Sequence, residues 1–206
     1  MKIPLHHTLS AQLSMRPHGG VWYRAIPPRF ITTALNVAHT KTVPGRFNDA
    51  SPIAPSFPVL YLAENSVLAL FEVQALFGSP RTPGGLVSHP KRSATILNVT
   101  VTLNNLTDLT NLREQLIFDT NAQELTGDWR GFKLRSTSTS VTVPTGTAPT
   151  QELGAALYAV PALEGFLTIS AKLPDQMILV VFPDKLLPGS SITHTDALGN
   201  SYPLTS

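Results

Sequence analysis

Gly45-Arg46-Phe47-Asn48, Pro58-Val59-Leu60-Tyr61-Leu62-Ala63 and Leu68-Ala69-Leu70-Phe71-Glu72 are the pieces of sequence on which the fold turns. The first has the composition of a turn, because glycine admits backbone conformations closed to other residues and asparagine tolerates tight bends. The second contains a short apolar run, Val59 to Ala63, with the length and composition of a strand covered on both faces. The third lies in a stretch, about 67 to 77, that is apolar almost all round, which predicts a buried helix capped by Asn65 or Ser66.

Each piece carries a polar group that bulk packing does not ask for. Glu72 is the sharpest case, since a carboxylate among apolar neighbours must be paired, protonated or functional. A structural ion pair with Arg46 or Arg24 and a chemical role both fit. Two arginines for one carboxylate leave a positive charge over, and a guanidinium matches phosphate oxygens bidentately, so the surplus suits a diphosphate. Tyr61 alone reads as core before ligand platform. Ser170 closes an apolar run with no histidine at a useful spacing, which favours hydrogen bonding over nucleophilic attack.

Working outward, residues 1–18 read as a lead-in that ends in the turn chemistry of Arg16-Pro17-His18-Gly19-Gly20, leaving 19–206 as the main domain. Val21 to Ile26 reads as a strand carrying Arg24 and stopping at Pro27-Pro28. Residues 27–58 form a long irregular connection, the kind of ordered loop that is disproportionately functional. Residues 78–93 read as a second loop. Leu97, Val99, Val101 and Leu103 alternate with polar residues, as in a strand with one covered face.

A short helix is expected from Leu106 to Leu116 with Asp108 or Thr110 as its cap, and another from 151 to 158 capped by Thr150. Trp129 reads as an anchoring aromatic, and 132–148 as a hairpin or loop. Residues 165–170 and 176–182 read as a hairpin in the sheet, and the tail from Pro183 as surface wrapping. The expected fold is α+β (α/β mixed), a single domain with a twisted mixed sheet and flanking helices.

Composition narrows the function classes. The 206 residues suit one core. Fifteen Lys+Arg against 13 Asp+Glu give a formal charge of only +2, so nothing predicts nucleic-acid binding. Without cysteine there is no disulfide, thiolate nucleophile or thiolate-bound metal. No apolar run approaches the ~18 residues of a membrane span, and the N-terminus lacks the run of a signal peptide, so the expected location is cytoplasmic. Phosphate-binding loop, GxGxxG, HExxH and Gly-x-Ser-x-Gly signatures are missing.

The order of Trp22-Tyr23-Arg24, Gly45-Arg46-Phe47-Asn48, Leu60-Tyr61-Leu62-Ala63-Glu64 and Ala69-Leu70-Phe71-Glu72, followed by Thr150-Gln151-Glu152-Leu153-Gly154 and Gly165-Phe166-Leu167-Thr168-Ile169-Ser170-Ala171, resembles the RES domain family. Phe47 stands where that family often has tryptophan. The resemblance covers roughly residues 20–183 and implies a fold similar to ADP-ribosyltransferases. It also implies a toxin of a toxin–antitoxin pair that consumes NAD+ as substrate, with no cofactor and no metal.

By the same resemblance, Arg46, Glu72 and Ser170 would be catalytic, and Arg24, Tyr61, Phe47 and Asn48 would bind substrate. The activity would be that of an NAD+ glycohydrolase or phosphorylase. A protein ADP-ribosyltransferase with the same pocket, and a non-enzymatic binding module whose polar residues form only a buried network, are the alternatives. The implied partner is an Xre-type helix-turn-helix antitoxin, and a homodimer stays open.

Overall fold

Alternating burial along the strands builds the framework. The computed structural model describes residues 12–50, 56–133 and 147–204. Strand β1 (Arg16–Ile26) pairs antiparallel along nearly its whole length with β5 (Thr95–Asp108). In β5, Leu97, Val99, Val101 and Leu103 are buried while the residues between them are exposed, so this strand has one covered face as its alternation predicts. Strand β2 (Leu60–Ala63) lies between β1 and β7 (Met177–Val181), and β6 (Gly165–Ile169) follows β7. Strands β8 (Ser191–Thr195) and β9 (Ser201–Pro203) extend the sheet beyond β5.

The seven-stranded order is β1-β2-β7-β6-β5-β8-β9, and the added β1–β5 pairing closes five of these strands into a ring. Only β5 and β6 run parallel, so the sheet is mixed. Leu60, Leu62, Leu179 and Val181 point to one apolar cluster, and Ala63, Ile178, Val180 and Phe182 to the other. Strand β2 is therefore covered on both faces. The chain is a single mixed α+β domain with two apolar layers sharing one sheet.

The helices are short. Helix α1 (Ser66–Glu72) is capped by Asn65, whose side chain accepts from Leu68 N. It stops five residues before the expected end. Gln74 takes a left-handed backbone (φ 58°), Ala75 N bonds to Leu70 O and Gln74 N to Phe71 O, a Schellman closure made without glycine. Helices α2 (Leu112–Ile117), α3 (Ala122–Thr126), α4 (Trp129–Lys133) and α5 (Pro149–Ala159) complete the set.

Several expectations are corrected. Residues 16–20 are not a terminating turn: they open β1, with an irregularity between Arg16 and His18. The 78–93 loop is flanked and partly formed by a small hairpin, β3 (Leu76–Gly78) with β4 (Leu86–Ser88). Leu106 to Asp108 belong to β5, and α2 is capped by Asn111. Thr150 lies inside α5, where Pro149 occupies the first turn. The tail after Pro183 supplies β8 and β9, because Ile192 and His194 continue the buried alternation against β5. The hairpin or loop considered for 132–148 falls mostly outside the described residues.

Candidate active site

Four elements converge on a cleft of about 410 Å³ whose lining includes Arg24, Arg46, Tyr61, Glu72, Trp129 and Lys172. Strand β1 carries Arg24, the loop before β2 carries Arg46, β2 carries Tyr61, and the last residue of α1 is Glu72. Tyr23 pairs with Ala63 across β1 and β2, which sets Arg24 and Tyr61 on neighbouring strands.

The Arg46 loop is held from three directions. Tyr61 donates its hydroxyl to Asn48 Oδ1 (3.0 Å) and accepts from Phe47 N (3.1 Å). Asn48 Nδ2 donates to Thr40 O and Val43 O. Gln151 on α5 donates Nε2 to Gly45 O (2.8 Å) and Asn48 O (3.2 Å). A Cβ at Gly154 would sit 1.8 Å from Phe47 O, so only glycine lets helix and loop pack this closely. At Gly45 a Cβ would fall 2.4 Å from Asn48 Oδ1. The segments around Gly45 and Gln151 are thus two halves of one joint.

That joint changes the reading of Phe47 and Asn48. Neither lines the cleft. Phe47 is 1% exposed and packs edge-on against Phe166 at 5.0 Å, while Asn48 spends its amide on the loop's own backbone. Expected at the substrate, they support Arg46 from behind. Burial also pushes the Tyr61 phenol well above its usual range, so its hydroxyl stays protonated as a loop pin while its ring faces the cleft.

Ser170 follows β6 and is fully buried. Its Oγ donates to Glu72 Oε1 (2.8 Å) and accepts from Lys172 N (3.0 Å) and Leu173 N (3.2 Å). It holds the Glu72 carboxylate and does not line the cleft. Glu72 itself is exposed at the end of α1, not sunk among apolar neighbours, because the helix terminates there.

The ion pairs among the described residues are Arg16 with Asp108, Arg81 with Asp175 and Arg113 with Glu114. None joins Glu72 to Arg24 or Arg46, so the purely structural ion pair is not formed. Arg46 Nη1 instead donates to Leu125 O (3.0 Å) and Gly127 O (2.7 Å) at the end of α3. Its pKa is lowered by burial, an effect opposed chiefly by the charge of Glu72 and also by that of Asp128. Arg24 is the more exceptional cation. Its Nη1 is shut from solvent with no hydrogen-bond partner, and burial pulls its pKa down to about 10. An unpaired buried cation facing a cleft is what an anionic ligand would satisfy.

A family model described as the RES domain matches residues 21–198. The chain belongs to the RES domain family. Its fold is similar to a chain in the crystal structure of the M. tuberculosis MbcT-MbcA toxin-antitoxin complex, at 19% identity and a TM-score of 0.60, over 97% of this chain and 91% of that chain. At that identity the likeness speaks for the RES fold alone. A comparison with curated proteins finds no match.

Asp128, Trp129, Arg130 and Lys172 also line the RES cleft, yet the sequence singles out only Trp129 among them, and as an anchor. Trp129 is half-buried on the cleft, with the Arg130 guanidinium over its ring at 5.2 Å. The signal that would have found this rim is the pairing of tryptophan with an adjacent arginine after Gly127-Asp128. Among the described residues no helix is long and apolar enough to cross a membrane, and no group of three or more His, Asp or Glu is arranged to hold a metal ion.

Proposed function

We propose that this RES domain is an NAD+-consuming toxin of a toxin–antitoxin pair that breaks the bond between nicotinamide and ribose. The observation that carries this reading is the buried, unpartnered Nη1 of Arg24 in the same cleft as Arg46 and the Ser170-held carboxylate of Glu72. Two cations supply the charge a diphosphate requires, and one carboxylate supplies the charge an oxocarbenium-like centre requires.

In the reaction, the C1′–N bond breaks with its electron pair passing to the nicotinamide ring, which leaves neutral and needs no acid. Positive charge develops on the ribose. Ser170 occupies Glu72 Oε1, and the other carboxylate oxygen serves that charge or a ribose hydroxyl. Water then adds at C1′ and releases one proton, giving ADP-ribose; phosphate would add in the same position in a phosphorylase. Arg24 and Arg46 hold the diphosphate throughout, and the Tyr61 ring forms the apolar wall beside them.

The partner in this reading is an Xre-type helix-turn-helix antitoxin, in keeping with the toxin-antitoxin complex of the structural neighbour. The protein is incubated with NAD+, with and without phosphate, and nicotinamide release is followed. Release that falls by about 10²–10³ in Glu72→Gln supports the assignment. No release by the wild type under any condition overturns it, and NAD+-dependent labelling of a protein target would move the reading to an ADP-ribosyltransferase. Growth arrest on expression, relieved by a cognate antitoxin, tests the biological role.

A further inference from the structure

We propose that Trp129 and Arg130 form the subsite for the adenosine half of the dinucleotide, Trp129 as a stacking face for the purine and Arg130 as a cation beside the phosphate next to it. This rests on the NAD+ reading above. At about 410 Å³ the cleft sits at the low end of the roughly 300–1,000 Å³ that encloses a drug-sized ligand. A dinucleotide is larger than that. One half is enclosed, and the other must lie along the rim.

The order of groups says which half. Glu72 belongs at the scissile bond. Arg46 lines the same cleft as Glu72, and its Nη1 is bonded to Gly127 O, immediately before Asp128 and Trp129. Arg46 thus links the carboxylate end to the rim, the place a diphosphate occupies between two nucleosides. With the diphosphate on Arg46, the rim takes the adenosine.

The rim also has the chemistry of a base platform. Trp22, the only other tryptophan, is 6% exposed and donates its indole N–H to His18, whereas Trp129 faces the cleft. Asp128 Oδ1 accepts from Arg130 N (3.1 Å), which turns the segment so that the Arg130 guanidinium covers the indole. Arg130 makes no ion pair among the described residues, so its charge is available to a phosphate. A purine stacks on an aromatic face without needing a matched hydrogen-bond pattern.

Intrinsic fluorescence tests this without turnover, because Trp129 is the only cleft tryptophan. ADP-ribose and AMP should quench the emission saturably, nicotinamide mononucleotide much less, and Trp129→Phe should abolish the change. No quenching by ADP-ribose overturns the subsite whether or not NAD+ is cleaved.

In kinetics, Trp129→Ala should raise KM for NAD+ about tenfold or more. It should leave kcat within about twofold, and the KM for nicotinamide mononucleotide, which has the same scissile bond without adenosine, unchanged. Equal losses on both substrates would make Trp129 a structural anchor and sink the proposal. Quenching by ADP-ribose with no release from either substrate would instead refute the catalytic reading and leave the subsite standing.

Discussion

Replacing Arg24 by methionine should make the ligand-free protein more stable and abolish nicotinamide release. Burial pulls the guanidinium's pKa down to about 10, a drop that corresponds to roughly 3 kcal/mol against the charged form. Exchanging even a paired buried charge for apolar side chains of similar volume is often neutral or stabilising by about 1–4 kcal/mol, and Arg24 Nη1 has no partner to lose. After some lost packing of the stem, about 1–3 kcal/mol should remain. For a chain of this size each kcal/mol moves Tm by about 2–4 °C.

The pH dependence follows from the sign of the shift. A base with a depressed folded pKa carries its full penalty below about 10, and the penalty recedes only as pH rises from there towards the ordinary guanidinium range. The Tm advantage of Arg24→Met should therefore be constant across neutral pH. Thermal unfolding with and without ADP-ribose reads both effects: the ligand should raise Tm in wild type and not in the variant. A variant less stable than wild type, with ligand stabilisation intact, would show that Arg24 is satisfied by the fold and refute the reasoning.

Ser170→Ala removes one charge-assisted hydrogen bond and the acceptor for two backbone N–H groups. Nicotinamide release should fall by about tenfold or more, with a stability loss of about 2–3 kcal/mol in urea unfolding. Gly154→Ala forces a methyl to 1.8 Å from Phe47 O and should cost over about 3 kcal/mol, visible as loss of soluble protein or a collapsed Tm. Gln74→Gly relieves a left-handed side-chain residue at the end of α1 and should stabilise by about 0.5–1 kcal/mol by the same unfolding assay.

Much of the framework was legible from pattern. The run Val59 to Ala63, the alternation at 97–103 and the paired runs at 165–170 and 176–182 each fall on strands because burial on one or two faces dictates their apolar spacing. The end of α1 was not legible. Its closure uses glutamine where glycine would announce it, so the apolar pattern ran on into β3 and made Glu72 look buried. The tail was misread for another reason: Ile192 and His194 are too few and too spaced by polar residues to show a strand before β5 is there to receive them.

At the site, the motifs shared with the RES family singled out Arg24, Arg46, Tyr61 and Glu72, which line one cleft. They could not distinguish a residue facing substrate from one standing behind it. Phe47 and Asn48 share a segment with Arg46, and only the Gln151 and Gly154 contacts, over a hundred residues away in sequence, show that these two face the core. The Trp129-Arg130 pair marks the rim at 127–130 in the sequence, but its link to Arg46 runs through backbone carbonyls, which leave no mark in the residue types.

Strand β2 meets β1 at a single register pair, Tyr23 with Ala63, while four pairs join it to β7. On a ribosome, the strand bearing Tyr61 therefore has no neighbour to complete its ladder until residue 181 has been made and has cleared the exit tunnel. The Gln151 clamp and the Ser170 hydroxyl arrive in the same late interval. A chain interrupted before that point holds the cationic residues and the carboxylate but cannot align them. The cleft is therefore assembled only when synthesis is nearly complete.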